Sequence, residues 1–353
     1  MEIDFLERLL DAAGPSGFEV RPARVWREEA ESFVDRVSVD VHGNSVAELN
    51  HQGSPRVMLA GHIDEIGLQV THIDEQGFLF VDGIGGWDAQ VVVGQRVTLL
   101  AREGDVTGVV GKKPIHLIQR DERSNASKLK ELWVDVGASS RAEVTALGIR
   151  VGDPMVIAAR MVRLAGDRIA SRAIDDRIGA YVVLEALRQL AEDPPAAAVA
   201  AVATVQEEIG QSGGGARTSA YALEPAVALV VDVTFSTDVP DIEKKELGEH
   251  EIGGGPVLSR GSAAHPVVFE RLVEAAEAEG IPYTIQAQPK ATRTDADAIF
   301  LSRSGVPTGL ISIPNRYMHS PNELIGISDV GHAINLIGAF VRRLGADVDL
   351  TPR

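Results

Sequence analysis

The pattern of apolar and polar positions changes texture twice along the chain. Apolar residues recur at helical spacing over Asp4–Ala13 and Arg21–Phe33, and the apolar run Val57–Ala60 (VMLA) predicts a buried strand. From about Val70 to Val162 the pattern turns to short alternating runs broken by glycine: GFLFVDG, GQRVTLLAREG, VTGVVGKK and LWVDVG. That period of two, with frequent turn residues, predicts a small β-barrel or sandwich. Helical spacing returns over Asp176–Ala191, Pro266–Glu279 and Asp329–Leu344. Between these lie continuous apolar runs at Val199–Val205, Ala226–Val233 and Gly309–Ile313, the pattern of strands buried on both faces of a mostly parallel sheet. The economical architecture is an α/β domain, its sheet flanked by helices, interrupted by an all-β insertion. It divides the chain into 1–68, 69–163 and 164–353.

The stretch GHIDEIGLQVTHIDE (61–75) contains the tetrapeptide HIDE twice. The second copy sits between two alternating runs, around Asp74-Glu75-Gln76-Gly77, which is turn chemistry for a hairpin. The first follows the buried run RVMLAG directly. In open α/β sheets functional groups gather beyond the carboxyl ends of strands, so His62 and Asp64 are the copy placed for chemistry.

The other apolar runs end in the same way. Gln206-Glu207-Glu208 follows Val199–Val205, Ala226–Val231 runs into Asp232, and His319 comes shortly after Gly309–Ile313. Ala173-Ile174-Asp175-Asp176-Arg177 places acids at the start of a helix. Taken singly, each has an ordinary reading: a helix cap, a solvated pair of charges, an exposed histidine. Together, five elements deliver His62, Asp175, Glu207/Glu208, Asp232 and His319 to one sheet edge. Adjacent carboxylates at buried strand ends repel one another unless a cation compensates them. Two histidines with several carboxylates suit divalent metal, and two ions rather than one.

Composition narrows the setting. The 353 residues carry a formal charge of −17, which argues against nucleic acid or an anionic membrane as a partner. There is no cysteine, so any metal must use His, Asp and Glu. The longest apolar run, Ala196–Val205, is too short to cross a bilayer. The N-terminal stretch reads as an acidic amphipathic helix rather than a signal peptide, making the cytoplasm the expected compartment. One competing motif remains. Gly210-Gln211-Ser212-Gly213-Gly214 fits G-x-S-x-G, a nucleophile elbow that Asp232 and His319 could complete. It leaves His62, Asp175 and the glutamate pair without a role.

The segments GPSGFE (14–19), GHIDEIG (61–67), GGWDAQ (85–90), AIDDRIG (173–179), TVQEEIG (204–210), VVDVT (230–234) and YMHSPNE (317–323) resemble the ordered motif series of the M42 family of metallo-aminopeptidases. That family includes the tetrahedral (TET) aminopeptidases and glutamyl aminopeptidase-like enzymes. The resemblance runs over almost the whole chain. It implies a zinc-peptidase-like fold and two divalent ions per subunit, zinc first, with cobalt or manganese as alternatives. One ion takes His62 and Asp232, the other Glu208 and His319, and Asp175 bridges them. Glu207 is implied as the general base acting on a metal-bridging water, and Asp64 as the acid that orients His62. The implied activity is release of N-terminal residues from peptides. The insertion is implied to be a PDZ-like dimerisation domain, with dimers building a homododecamer. The segment ATRTDADAI (291–299) departs from the family's Gly-rich GTDA stretch.

Overall fold

Four apolar strands, Arg56–His62, Ala198–Thr204, Val227–Phe235 and Thr308–Asn315, lie at the centre of an eight-stranded sheet in a computed structural model that describes residues 1–210 and 213–353. Across the sheet their order is Ala198–Thr204, Arg56–His62, Val227–Phe235, Thr308–Asn315, and all three pairings are parallel. The continuous apolar runs are therefore what they suggested, strands covered on both faces. Odd and even positions go to different layers. Val57, Leu59, Val199 and Leu229 pack under the long helices Ile174–Glu192 and Ile327–Arg342, while Met58, Ala60, Val202 and Val230 pack under Gly214–Leu223 and Ala296–Ile299. Ser45–Leu49 and Arg36–Val39 extend one edge of the sheet. Val257–Arg260 and Thr284–Ala287 extend the other.

The insertion closes into a six-stranded barrel, in the order Gly67–Ile73, Leu79–Ile84, Trp133–Asp135, Gly104–Gly111, Arg96–Ala101 and Pro154–Ile157. It has its own core, with Leu68, Val70, Leu79, Val97, Leu99, Val134 and Met155 inside. The chain re-enters the α/β domain through a small antiparallel sheet, Val162–Leu164, Arg168–Ser171 and Glu323–Gly326. Its register sets Glu323 opposite Ser171, four residues before Asp175.

The second HIDE copy is a hairpin, as its alternation suggested. Gly67–Ile73 pairs antiparallel with Leu79–Ile84, and Asp74 Oδ1 accepts the backbone N–H groups of Gln76 (3.0 Å) and Phe78 (2.9 Å). Among the described residues no helix is long and apolar enough to cross a membrane.

Candidate metal centre

The central strands set down their polar groups side by side. His62 is the last residue of its strand and pairs across the sheet with Thr204, after which the chain turns into Glu207 and Glu208. Asp232 lies within Val227–Phe235, opposite Ser312. His319 follows Thr308–Asn315, and Asp175 opens the long helix. That helix comes close because Gly61 has no side chain. A Cβ there would stand 2.3 Å from the carbonyl carbon of Gly179 and 2.5 Å from the nitrogen of Ala180. Asp175 and Asp176 are not helical in φ/ψ, which turns their carboxylates towards the strand end rather than along the helix.

Ala173, Gln206 and His319 are all left-handed, with φ of 59°, 61° and 58°. Strained non-glycine residues of this kind cluster where a site fixes the backbone. In sequence Glu207 and Glu208 follow the apolar run that ends at Val205, and different jobs for the two require the backbone to part them. The strand ends at Thr204, and the bend at Gln206 separates the pair.

Asp175 stands between the two histidines. Its Oδ1 is 3.3 Å from His62 Nε2 and its Oδ2 is 3.3 Å from His319 Nε2. His319 Nε2 is also 3.3 Å from Glu208 Oε2, while Glu207 Oε2 is 3.8 Å from His62 Nε2. Ligand atoms of His62, Asp175 and Glu208 all fall within 4.8 Å of one another, as do those of His62, Asp176 and Asp232. The 3.3 Å separations are long for charge-assisted hydrogen bonds, which favour about 2.7–2.9 Å. They match the edge of a coordination tetrahedron, since ligands about 2.0–2.2 Å from one ion stand about 3.3–3.6 Å apart.

Supporting groups fix this arrangement. Asp64, fully buried, lies 3.4 Å from His62 Nδ1 and accepts the backbone N–H groups of Glu207 (3.2 Å) and Glu208 (3.1 Å). Asp176 accepts the N–H groups of His62 (3.2 Å) and Gly179 (3.0 Å). Glu323 accepts those of Asp175 (2.9 Å) and His319 (2.8 Å), so one carboxylate joins two elements of the site. Asp176 and Glu323 lie inside motifs the sequence reading quoted, but it gave neither a role. Below the cluster, the buried Arg177 donates to the carbonyls of Leu9, Leu10, Ala12, Gly14 and Ile63 and to Glu65 Oε1 (2.7 Å), and Arg172 pairs with the same carboxylate.

Protein groups alone do not neutralise the cluster. Among the described residues, the ion pairs of Asp175, Glu207 and Glu208 run only to the two histidines. Burial, with Asp232, Asp295 and Glu208 nearby and His62 opposing, pushes Glu207 up to about 10. Burial and Asp175 push Asp232 well above the ordinary carboxyl range and raise Glu208. Burial opposes charge on His319, but Asp175 and Glu208 outweigh it and lift the imidazole to about 11. For Asp64 burial is likewise outweighed, by His62 and by N–H donors, and its carboxyl lies below the usual range. Glu208 Oε1 is buried without a partner among the described residues. A carboxylate-rich set with an orphaned oxygen fits divalent cations, which would let these groups stay ionised together at neutral pH.

The rival elbow fares worse. Ser212 lies outside the described residues. His319 turns Nε2 to Asp175 and Glu208, and its Nδ1 lies 2.8 Å from the Gly86 carbonyl, so neither nitrogen is turned to Asp232 as a triad requires.

The cluster floors a cleft of about 1880 Å³ whose wall includes the exposed apolar side chains Ile209, Tyr221, Phe235 and Leu301.

Comparison with known proteins bears on the family and the fold. Residues 43–336 match the M42 glutamyl aminopeptidase family. A lysyl aminopeptidase of Pyrococcus furiosus is 37% identical over 352 residues, 99% of each chain. An aminopeptidase from the archaeon Desulfurococcus kamchatkensis superposes with a TM-score of 0.90 at 41% identity, covering 98% of this chain and 95% of its own. A TET1 peptidase of Pyrococcus horikoshii, described as assembling into a tetrahedron or a large octahedral shell, gives 0.86 at 30% identity, covering 97% and 99%.

Proposed function

The chain belongs to the M42 peptidase family, and from that membership we propose that it is a dinuclear metal-dependent aminopeptidase acting at the free N-terminus of peptides. The observation that carries the dinuclear part is Asp175, whose two oxygens each face a different histidine at 3.3 Å. In this reading His62 and Asp232 hold one ion, Glu208 and His319 the other, and Asp175 lies between. The ions, zinc or else cobalt or manganese, would polarise the scissile carbonyl and acidify the water beside it.

The chain's own groups do the rest. Glu207 takes a proton from the attacking water and passes it to the departing nitrogen, so that the new N-terminus leaves as a neutral amine. Its burial suits a carboxyl that must both accept and return a proton. Asp64 keeps His62 turned to the site and holds the backbone of both glutamates in place. The excess of carboxylates attracts a protonated α-amine, and the apolar cleft wall offers purchase to a substrate side chain.

Residues 69–163 are, in this proposal, the dimerisation domain. Its dimers would build a closed shell like that described for the Pyrococcus horikoshii peptidase. With one chain at each general position, a tetrahedral shell is a homododecamer. A cytoplasmic location completes the reading, in keeping with an acidic chain that has no cysteine to oxidise.

The test is chelation followed by metal analysis and assay on aminoacyl-p-nitroanilides. Stripped protein should lose its activity, regain it with Zn²⁺, Co²⁺ or Mn²⁺, and bind two ions per chain. N-acetylated peptides should be very poor substrates. Full activity in verified metal-free protein would overturn the metal reading, and equal cleavage of blocked peptides the N-terminal one.

A further inference from the structure

The inserted barrel reaches into the metal centre. Strand Leu79–Ile84 runs out into Gly85-Gly86-Trp87, and this turn meets the two residues assigned above to the second ion. The Gly86 carbonyl lies 2.8 Å from His319 Nδ1. A carbonyl oxygen only accepts, so Nδ1 must carry the hydrogen of this contact. That leaves Nε2 to face Asp175 and Glu208, each 3.3 Å away. Which nitrogen of an imidazole meets a metal is set by what the other nitrogen bonds.

The turn is shaped for close approach. Gly85 has a φ of +76°, and a Cβ on it would stand 2.6 Å from Ile66 Cγ2 and 3.4 Å from Glu208 Oε2. A Cβ on Gly86 would lie 3.3 Å from His319 Nδ1, tight enough to make the ring give way. Trp87 pins the turn by donating from Nε1 to the Gly67 carbonyl at 2.7 Å. On the α/β side Glu323 holds the backbone of His319, and Asp175 and Glu208 face its Nε2. The partner of its Nδ1 comes from the barrel.

We infer that Gly85-Gly86-Trp87 is a positioning element of the second metal site, with the Gly86 carbonyl fixing the tautomer of His319. Occupancy of that site then depends on how the insertion is seated, and a domain expected to serve assembly also tunes the chemistry. The inference rests on the reading that Glu208 and His319 hold an ion.

The experiment strips full-length protein of metal and titrates it with Co²⁺, following heat and the visible absorption of the bound ion. Wild type should take up two ions. Trp87→Phe and Gly86→Ala should bind one of them about 10–100-fold more weakly, the range seen when an outer partner of a metal-bound histidine is lost. It should be the same ion that Glu208→Ala loses, and thermal unfolding of each variant checks its fold. His72→Ala, on the barrel but away from the turn, should bind both ions normally. Wild-type affinity for both ions in folded Trp87→Phe and Gly86→Ala protein would overturn this inference alone, whereas wild type that takes up no specific pair of ions would overturn the dinuclear reading beneath it. Should both variants fail to fold, histidine ¹⁵N spectra of the zinc-loaded wild type decide. His319 should show a protonated Nδ1, and a bare Nδ1 there would overturn the inference.

Discussion

Glu207 and Glu208 are chemically identical neighbours that the backbone sets apart. The bend at Gln206 leaves Glu208 beside His319 and Glu207 beside His62. Glu207→Gln should therefore keep both ions but lose turnover by about 10²–10⁴-fold, the scale of general acid–base catalysis. Glu208→Gln should lose an ion together with its activity, because a neutral amide is a weaker ligand. Metal content measured beside the rate decides between them, and the reverse pattern would exchange the two roles. At this scale the residues that the fold gathers were legible, because acids and histidines at the ends of apolar runs have no packing reason to be there. Glu323 and Asp176 were not. Each acts through backbone N–H groups of residues brought near by the fold, and nothing in one-dimensional spacing marks that.

At the scale of elements, hydrophobic pattern carried most of the information. The strand runs expected at Val199–Val205 and Ala226–Val233 are found as Ala198–Thr204 and Val227–Phe235, since continuous burial leaves a continuous apolar signature. The helix start at Asp175 was less legible, because its first residues leave helical geometry to serve the site. The two HIDE copies show how an element gives identical letters different uses. One ends a central parallel strand, and the other closes a hairpin in which His72 packs against Phe80, ring centroids 5.9 Å apart. His62→Ala should cost metal and nearly all turnover, while His72→Ala should stay close to wild type in both. Equal losses in a paired assay would show that the hairpin copy also serves the site.

For the whole molecule, the buried acids make stability depend on pH and on metal together. Without metal, burial pushes Glu207 up to about 10 and, aided by Asp64, raises Glu19 to about 7. Burial also raises Asp295 to about 6, against the pull of His62 and Thr204. The folded state holds protons that the unfolded chain releases above its ordinary carboxyl range near 4.5, so stability falls as pH rises from there towards those folded values. His319 adds in the same direction. Its contribution is complete below 6.5 and is lost as pH climbs towards about 11. Asp64 and Asp175, held low, oppose this only at the acid end, where stability they supply above 3.8 is lost as pH falls. Stripped protein should thus melt at progressively lower temperature between about pH 5 and about pH 9, and saturating Zn²⁺ should flatten the slope by replacing protons with cations. Thermal unfolding at several pH values, with and without metal, measures this. A flat profile in the stripped protein would show that the acids are not coupled as described.

The scatter of the proposed ligands along the chain also sets a clock. Synthesis delivers His62 first, then the whole barrel, and His319 only after both. A half-made chain can already hold strands, helices and the insertion, since domains fold as they emerge. It cannot hold a finished centre, because the imidazole that faces Asp175 Oδ2 does not yet exist. If His319 completes the centre as proposed, an enzyme that trims free N-termini should stay silent on the ribosome, among nascent chains whose own N-termini are exposed, until the segment carrying His319 has been made and folded.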